Sequence, residues 1–556
     1  MFHNYRCNMR VAYHPVGRLK SLKSTAGKRT PSRVIALALT FSIALLASRA
    51  RSVEIERVAP AYCAAYIVIK DIQKVTDGMK ASSSWQAFLS HDNPRIKRAK
   101  EFIELLNTAG TLSNQVALVQ TYTSVEAFNI PSIIADLKEI PEEIQKTEQL
   151  LRTGGNEIYP NAGAYKDVQF GLVGQSSRYA FLDNIFVLTP GQDAFEAIVD
   201  AYRGEEPSLA HDPKFNFMVN NLSFKGEILA YINLEVPSPV TYALKQNLNL
   251  QLLGMHEAES ILWTANLLAS TRDQEVCIQI LNREGILESL FARPKPLLSP
   301  HLIPASGVDI FCATHVGDPI LVWERIMSTM KGLLDKKEYA EMQGAISEFE
   351  REIGLKLKND ILASLTGEVG FAMPFPDLAG GSRFSLGNGL MVFCGVKDSE
   401  KCAMAIERIL STAKLQQTVY KGVVIHHIPE LSGPEGPVGY VFAGDMLVFS
   451  NFQRLQDLID EEPPLMVSEE FAKISSQLPQ QPGLVFYIDL MRLGKSLLST
   501  NPQAQTEETL TKLQTLGSVG GLMIYDGGGL KLRSIGTSDK SWLETIGVLA
   551  GLLLIR

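Results

Sequence analysis

A hairpin that leads into a helix occurs twice in this chain and constrains its fold more than any other feature. In the first copy, two short apolar runs flank Asp183-Asn184 and a helical run follows at 193–202. In the second copy, similar runs flank Gly444-Asp445 and a helical run follows at 453–460. Such residue pairs tolerate the positive φ values that a two-residue hairpin turn requires. We therefore predict two β-hairpins, each followed by a helix.

The segments around the hairpin also recur, at a nearly constant spacing. Residues 215–234 match residues 471–490 without a gap, since 471 − 215 and 490 − 234 both equal 256. The hairpins themselves align at a spacing of 440 − 179 = 261. Recurrence at a fixed spacing is the sequence signature of internal duplication. We predict two similar halves, packed face to face or edge to edge about a pseudo-twofold axis.

The alternation of hairpins and amphipathic segments predicts an α+β fold. Turn residues between apolar runs favour antiparallel or mixed sheets, with helices layered on one face. Helices are predicted at 131–152 and 337–353, among other places, from apolar residues three and four positions apart. The second of these carries an apolar stripe that we expect to face a core, with a partner-binding surface as the alternative: Tyr339, Met342, Ile346, Phe349 and Ile353.

The predicted halves have definite limits. The first half covers 51–296, a proline-interrupted linker covers 297–303, and the second half covers 304–538. Residues 539–556 form an apolar segment that we expect to be a C-terminal helix, too short to span a bilayer unaided. It either closes a core or contacts a membrane.

Residues 1–50 have the features of an export signal. Residues 1–33 carry eight Lys or Arg and no acidic residue, and residues 34–47 form an uncharged apolar run. That length suits a signal peptide better than a membrane span of about 20 residues. If the segment is not cleaved, residues 34–47 anchor the chain in the membrane. In both cases we expect the remainder in the periplasm or on the outer face of the cytoplasmic membrane.

Net charge and cysteine content limit the kinds of partner and the covalent cross-links that we expect. Removing residues 1–50 removes nine basic groups and no acid, so the formal charge changes from −7 to −16. An acidic chain without a basic face is not expected to bind nucleic acid. The five remaining cysteines, Cys63, Cys277, Cys312, Cys394 and Cys402, are odd in number and lie mostly in apolar runs. We predict buried thiols and no structural disulfide.

Catalytic motifs are largely absent from the sequence. It contains no zinc-protease helix, nucleophile elbow, phosphate loop or dinucleotide fingerprint, and we predict no cofactor. One candidate pair is His315 with Asp318 at a strand end, where acid/base pairs occur. A candidate metal site is His426 with His427, although neighbouring strand residues point to opposite faces, which favours one packed and one solvated imidazole. Glu368 is expected to be a strand-edge acid.

Residues 367–374, read with the helical segment 348–362 before them, resemble a conserved passage of a known family. The segment Gly-Glu-Val-Gly-Phe-Ala-Met-Pro is similar to a stretch in the bacterial family filed as domain of unknown function 3352. The repeated hairpin and helix are similar to that family as well. The resemblance implies an exported or membrane-tethered bacterial protein without a known activity. It supplies no catalytic residue.

These observations together favour a non-catalytic binding or structural module of the cell envelope. The expected partner is an envelope protein or an apolar ligand. Two alternatives remain open: an envelope hydrolase that uses His315 and Asp318, and a carrier whose apolar ligand lies in grooves between sheet and helices. A deep cleft with converging polar groups favours the hydrolase, and a large apolar cavity favours the carrier.

Overall fold

A computed structural model gives the architecture of most of the chain from residue 55 onward. The residues it describes are 55–82, 85–86, 113–121, 131–137, 157–237, 239–269, 273–280, 286–291, 295–375, 385–411, 414–431, 436–460, 462–477, 483–499, 506–525, 529–538, 540–542, 544–545 and 548. The predicted signal segment 1–50 lies outside these residues.

Within the described residues, the chain forms twenty strands and fourteen α-helices. The strands of the first half are β1 Ala65–Lys70, β2 Ser113–Gln120, β3 Ser132–Leu137, β4 Ile158–Tyr165, β5 Val168–Val173, β6 Ser177–Leu182, β7 Ile185–Thr189, β8 Ile228–Asn233, β9 Ala258–Ala265 and β10 Gln274–Ile280. Those of the second half are β11 Ile310–His315, β12 Leu365–Met373, β13 Met391–Val396, β14 Gln416–Tyr420, β15 Val423–His427, β16 Val438–Ala443, β17 Met446–Asn451, β18 Leu484–Asp489, β19 Ser518–Tyr525 and β20 Gly529–Gly536.

The helices lie between these strands in the chain. They are α1 Ile72–Ala81, α2 Gln192–Arg203, α3 Pro213–Asn220, α4 Pro239–Gln246, α5 Leu248–Leu253, α6 Leu287–Phe291, α7 Ser299–Leu302, α8 Pro319–Leu333, α9 Lys336–Ile353, α10 Ser399–Ile409, α11 Phe452–Ile459, α12 Glu469–Ser475, α13 Leu490–Ser499 and α14 Glu507–Gln514. Helices together with an antiparallel sheet confirm the α+β class.

All strands belong to one antiparallel sheet, and its order is the same in both halves. The first half runs β4-β5-β6-β7-β3-β2-β1-β8-β9-β10. The second half runs β14-β15-β16-β17-β13-β12-β11-β18-β19-β20. The halves join edge to edge, because β10 pairs antiparallel with β20.

The strand register relates the halves residue by residue. Tyr231 pairs with Leu262 and Leu262 with Cys277, while the matching positions in the second half link Tyr487 to Gly520 and Gly520 to Ile535. Cys277 therefore corresponds to Ile535, and two residues earlier Glu275 corresponds to Arg533. These two residues are direct partners across the joint. The local twofold relation of the sheet thus passes through the pair Glu275 and Arg533.

Both predicted hairpins are confirmed. Leu182 pairs with Ile185 around Asp183, whose φ is 53°, and Ala443 pairs with Met446 around Gly444, whose φ is 56°. A helix follows each hairpin, α2 in the first half and α11 in the second. The turn chemistry alone determined these elements, because positive φ is tolerated mainly by Gly, Asn and Asp.

Two helix predictions were wrong in part. The segment predicted as a helix from 131 begins as strand β3, whose six residues are all buried between β2 and β7. Strand pairing there outweighs the helical spacing of the apolar residues. Helix α9 forms as predicted, but none of its residues is buried: Tyr339, Met342, Ile346 and Ile353 are half-buried and Phe349 is exposed, so the stripe is partly covered without entering a core.

Each half has an outer hairpin, β4–β5 or β14–β15, and an inner hairpin, β6–β7 or β16–β17. The turn of the outer hairpin is held by a Tyr, a Lys and an Asp in both halves. In the first half, Lys166 lies 2.8 Å from Asp200 and Tyr165 donates to Asp200 at 3.2 Å. In the second half, Lys421 lies 2.8 Å from Asp460 and Tyr420 donates to the same carboxylate at 3.0 Å. Lys166 and Lys421 both have positive φ, 47° and 48°. Each turn is therefore fastened to the end of the helix that follows the inner hairpin.

Each half also has its own apolar core. One cluster includes Tyr66, Phe195, Phe215 and Tyr231 and belongs to the first half. Another includes Phe311, Phe393, Phe471 and Tyr487 and belongs to the second half. Of the C-terminal segment, Trp542 and Val548 pack against a smaller cluster formed by α13, α14 and β19. Among the described residues, no helix is both long and apolar enough to cross a membrane.

Asp136 is a buried carboxylate beside the first hairpin, and it makes stability dependent on pH. Asn184 donates to it at 2.8 Å, but burial dominates and raises the pKa of Asp136 to about 6. In the unfolded chain the pKa of an Asp carboxyl is about 3.9. Between about pH 4 and pH 6 the native state therefore binds more protons than the unfolded state, and its free energy of unfolding falls as pH rises.

We expect Asp136→Asn to remove this pH dependence. Relative to the parent chain, the variant gains about 2 kcal/mol of unfolding free energy between pH 4.5 and pH 7, since about 1.4 kcal/mol accompanies each pKa unit. Urea unfolding of both proteins at the two pH values measures the gain. Asp193→Asn, at an exposed helix position, is the control. An equal difference between parent and Asp136→Asn at both pH values would contradict the assignment.

Candidate functional site

His315 is the last residue of β11, and its imidazole is buried with only 5% of its surface exposed. The Gly317 N–H donates to His315 Nδ1 at 3.1 Å. Burial lowers the pKa of His315, Lys295 lowers it further, and Glu368 opposes them. The ring is therefore held neutral, with Nδ1 already used as an acceptor from the backbone.

Asp318 does not complete an acid/base pair with His315 among the contacts of the described residues. It is exposed, and its carboxylate accepts from the Ile320 N–H at 3.0 Å as the N-cap of α8. Asp is a preferred N-cap because its oxygen satisfies a backbone donor that the helix leaves unpaired. The proximity in sequence of His315 and Asp318 thus reflects a strand end followed by a helix start.

Glu368 is the cross-strand neighbour of His315 and is buried, with 1% exposure. Its two carboxylate oxygens accept from the Leu298 N–H at 2.9 Å and the Ser299 N–H at 2.8 Å. These donors open the short helix α7 in the connection between the halves. The expectation of a strand-edge acid was wrong, because Glu368 lies in a central strand and fastens that connection to the sheet.

Gly367 lies in the segment that resembles the family, and its backbone conformation requires glycine. Its φ is 104°, and a Cβ there would lie 2.4 Å from the Gly317 carbonyl oxygen. Only glycine combines that conformation with so close a backbone approach. The Gly-Glu pair therefore lets β12 approach the end of β11 and turns the Glu368 carboxylate toward α7.

The two adjacent histidines engage different neighbours. The His426 ring stacks on Tyr440 with centroids 4.6 Å apart, and burial lowers its pKa. His427 lies against Phe452, and its Nε2 is 2.9 Å from Thr418 Oγ1. Among the described residues, no group of three or more metal-ligating side chains exists. Among the described residues, none of the five cysteines forms a disulfide, and burial raises the pKa of Cys63 to about 12.

A cluster of buried charges in the second half was not anticipated from the sequence. Asp309, 5% exposed, accepts from Arg492 at 2.7 Å and from the Phe375 N–H at 2.8 Å. Arg454, 9% exposed, lies 3.3 Å from Asp457 and 3.4 Å from Ser306 through Nη1, while Nε and Nη2 have no partner within the described structure. Burial lowers the pKa of Arg454.

Two clefts open in the first half. One, of about 440 Å³, lies on the β5–β6 surface between Asp167, Tyr179 and Tyr202. The other, of about 400 Å³, lies between the end of β1 and helix α3, with Lys70 and Phe215 among its lining residues. Volumes of this size are typical of sites for small ligands. Neither cleft contains His315, Asp318, His426 or His427.

Sequence spacing does not identify these clefts, because the residues that line each one come from different strands and helices. In the sheet, Lys70 pairs with Gln115 where His315 pairs with Glu368, so Lys70 corresponds to His315. The same position of the fold therefore carries Lys70 and Gln115 in the first half and His315 and Glu368 in the second.

Comparisons with known proteins agree with the sequence on the family. A family model described as "Protein of unknown function (DUF3352)" matches residues 376–548, which confirms the resemblance. No curated protein matches the chain. Two solved structures are similar to part of it, titled "Structure of crystal form IV of TP0453" and "Structure of crystal form I of TP0453".

The two structures are distant from this chain. Their sequence identities are 7% and 8%, and their TM-scores are 0.25 and 0.23. The matches cover 43% and 42% of this chain, and 86% and 81% of the other chains. At these TM-scores they carry no inference about fold or function.

Proposed function

We propose that this chain, whose residues 376–548 match a family of unknown function, is an exported binding module of the bacterial cell envelope without catalytic activity. The observation that carries the proposal is the pair of open clefts in the first half, each about 400 Å³ or larger. They offer binding volume that neither candidate histidine site reaches. The basic and apolar segments of residues 1–47 support export.

The contacts of His315 and Asp318 support a binding role over hydrolysis. A general base needs a free nitrogen within reach of the proton it removes. His315 Nδ1 accepts a backbone N–H, and Asp318 caps a helix. The lining of the larger clefts mixes charged and apolar residues, which supports a polar or amphiphilic ligand over a wholly apolar one.

We also infer that the two halves arose by duplication. The identical strand order supports this, as does the register, because Tyr231 corresponds to Tyr487 at a spacing of 256 and Tyr179 to Tyr440 at 261. These are the spacings found in the sequence. The shared closure of each outer hairpin by Tyr, Lys and Asp adds side chains that the sequence alignment had not included.

Mass spectrometry of the protein purified from a native envelope fraction tests the proposal. We expect a chain that starts near Arg51, or an intact anchored chain, recovered with a stoichiometric small molecule or partner protein. Cells expressing an unrelated exported protein with the same tag are the control for adventitious co-purification. Recovery in the cytoplasmic fraction would contradict export, and an envelope-purified chain with nothing bound would contradict the binding role.

A further inference from the structure

The cleft at the end of β1 is lined by both charged and apolar side chains. Lys70, half-buried, and Lys225, exposed, line it together with the amide of Gln115, and so do the buried Phe215 and Leu229. The Asn216 amide, also in the lining, donates to the Ala210 carbonyl at 2.7 Å. Neither lysine makes an ion pair with a described residue, whereas the nearby Lys74 lies 3.9 Å from Glu227. The two ammonium groups are therefore available to a ligand.

One carboxylate also lines this cleft. Glu56 acts on Tyr66, since burial first and Glu56 next raise the pKa of Tyr66 well above its ordinary value. Tyr66 is fully buried on the same face of β1 as Lys70. Counting Lys70 and Lys225 against Glu56, the lining carries net positive charge in a chain whose overall charge is negative.

In the second half, an acidic side chain stands at the position that corresponds to Gln115. There, His315 and Glu368 occupy the register positions of Lys70 and Gln115. Glu368 is an acceptor, and it binds two backbone N–H donors at 2.9 and 2.8 Å. At the matching place in the first half, Lys70 supplies donors only and the Gln115 amide can donate. A group that binds the Lys70 ammonium must therefore be a hydrogen-bond acceptor.

From the two lysines without an ion pair and the apolar lining we infer that the cleft binds a small amphiphilic anion. Its carboxylate or phosphate group contacts Lys70 and Lys225, with the Gln115 amide as a further donor, and its apolar part lies on Phe215 and Leu229. The inference rests on the proposed binding function and specifies the ligand class. Charge-assisted hydrogen bonds are the strongest available at such a site, which is why the lysines dominate affinity.

Calorimetric titration of the full chain tests this assignment with three probes of equal chain length. We expect octanoate or octyl phosphate to bind and the neutral octanamide to bind at least 10-fold more weakly. The two anions distinguish a carboxylate site from a phosphate site. Equal affinity for octanamide, or no binding of either anion, would overturn the inference.

Variants locate the binding within the chain. Lys70→Gln and Lys225→Gln are each expected to weaken anion binding about 10-fold, because the loss of one charge-assisted contact is worth about 1.5 kcal/mol or more. Lys331→Gln, which removes an exposed lysine of α8 outside the cleft, is the matched control and is expected to leave binding unchanged. Equal affinities in all three variants would place the anion elsewhere and refute the site.

The outcome separates this inference from the proposed function. A native preparation that retains a partner protein but binds no anion would refute the ligand class and leave the binding role standing. A native preparation with nothing bound, together with no anion binding, would refute both. Urea unfolding of each variant shows that a lost affinity comes from the lysine and not from a lost fold.

Discussion

Replacement of Glu368 by alanine is expected to lower the free energy of unfolding by about 3 kcal/mol. The carboxylate accepts from the Leu298 and Ser299 N–H groups, and it is almost fully buried. Hydrogen bonds to a charged group are worth about 1.5 to 3 kcal/mol each, and their loss leaves donors without an acceptor. The measurement is the shift of the urea unfolding midpoint of the full chain.

Two further variants make that result specific. Glu368→Gln keeps one acceptor oxygen but turns an amide donor toward the second N–H, so an intermediate loss is expected. Glu352→Ala removes an exposed carboxylate of α9 and is expected to change the unfolding free energy by less than about 0.5 kcal/mol. If Glu368→Ala matched Glu352→Ala, the connection between the halves would not depend on this carboxylate.

A methyl group at Gly521 is expected to lower the free energy of unfolding by about 3 kcal/mol, at the upper end of the usual cost of overpacking. Gly521 lies in β19, and a Cβ there would be 2.1 Å from the Arg533 carbonyl oxygen and 2.8 Å from the Phe486 ring. The backbone of β20 must shift to admit it. Because β20 also pairs with β10, the strain extends to the joint between the halves. Overpacking of this kind typically costs 1 to 3 kcal/mol, as an order of magnitude.

The same substitution elsewhere is expected to have the opposite sign. Gly344 lies within the exposed helix α9, and a Cβ there meets no atom within 4 Å. Gly344→Ala is expected to raise the unfolding free energy by about 0.5 to 1 kcal/mol, because alanine loses less entropy in a helix. Urea midpoints of the two variants, measured together, decide the comparison. An equal loss of stability in both variants would contradict the assignment of the cost at Gly521 to its contacts with Arg533 and Phe486.

The candidate residues were identifiable in the sequence, but their neighbours and roles were not. Strand pairing places Glu368 beside His315, which their sequence positions did not indicate, and Asp318 lies at the start of the next helix. Their roles are those of a backbone acceptor, a helix cap and a fastening for α7. Sequence spacing does not reveal which backbone donors a carboxylate meets, because Leu298 and Glu368 are 70 residues apart.

The sequence by itself determined the local elements and their recurrence. Hairpin turns at Asp183 and Gly444 follow from the conformations that Asp and Gly tolerate, and the helices after them follow from apolar spacing. The constant spacings of 256 and 261 residues reappear in the strand register, because an insertion within a strand would have moved its apolar residues to the other face.

Only the tertiary structure decided how these elements meet. The edge-to-edge joint of β10 with β20 depends on strands that lie far apart in the chain, as does the conversion of a helical pattern at 132–137 into strand β3. Apolar periodicity indicates which face of an element is buried. The element that packs against that face is determined by long-range strand pairing and packing. For the same reason the stripe of α9 is only half-buried, and the cleft beside Lys70 is lined by residues of β1, β2 and α3 that are far apart in the sequence.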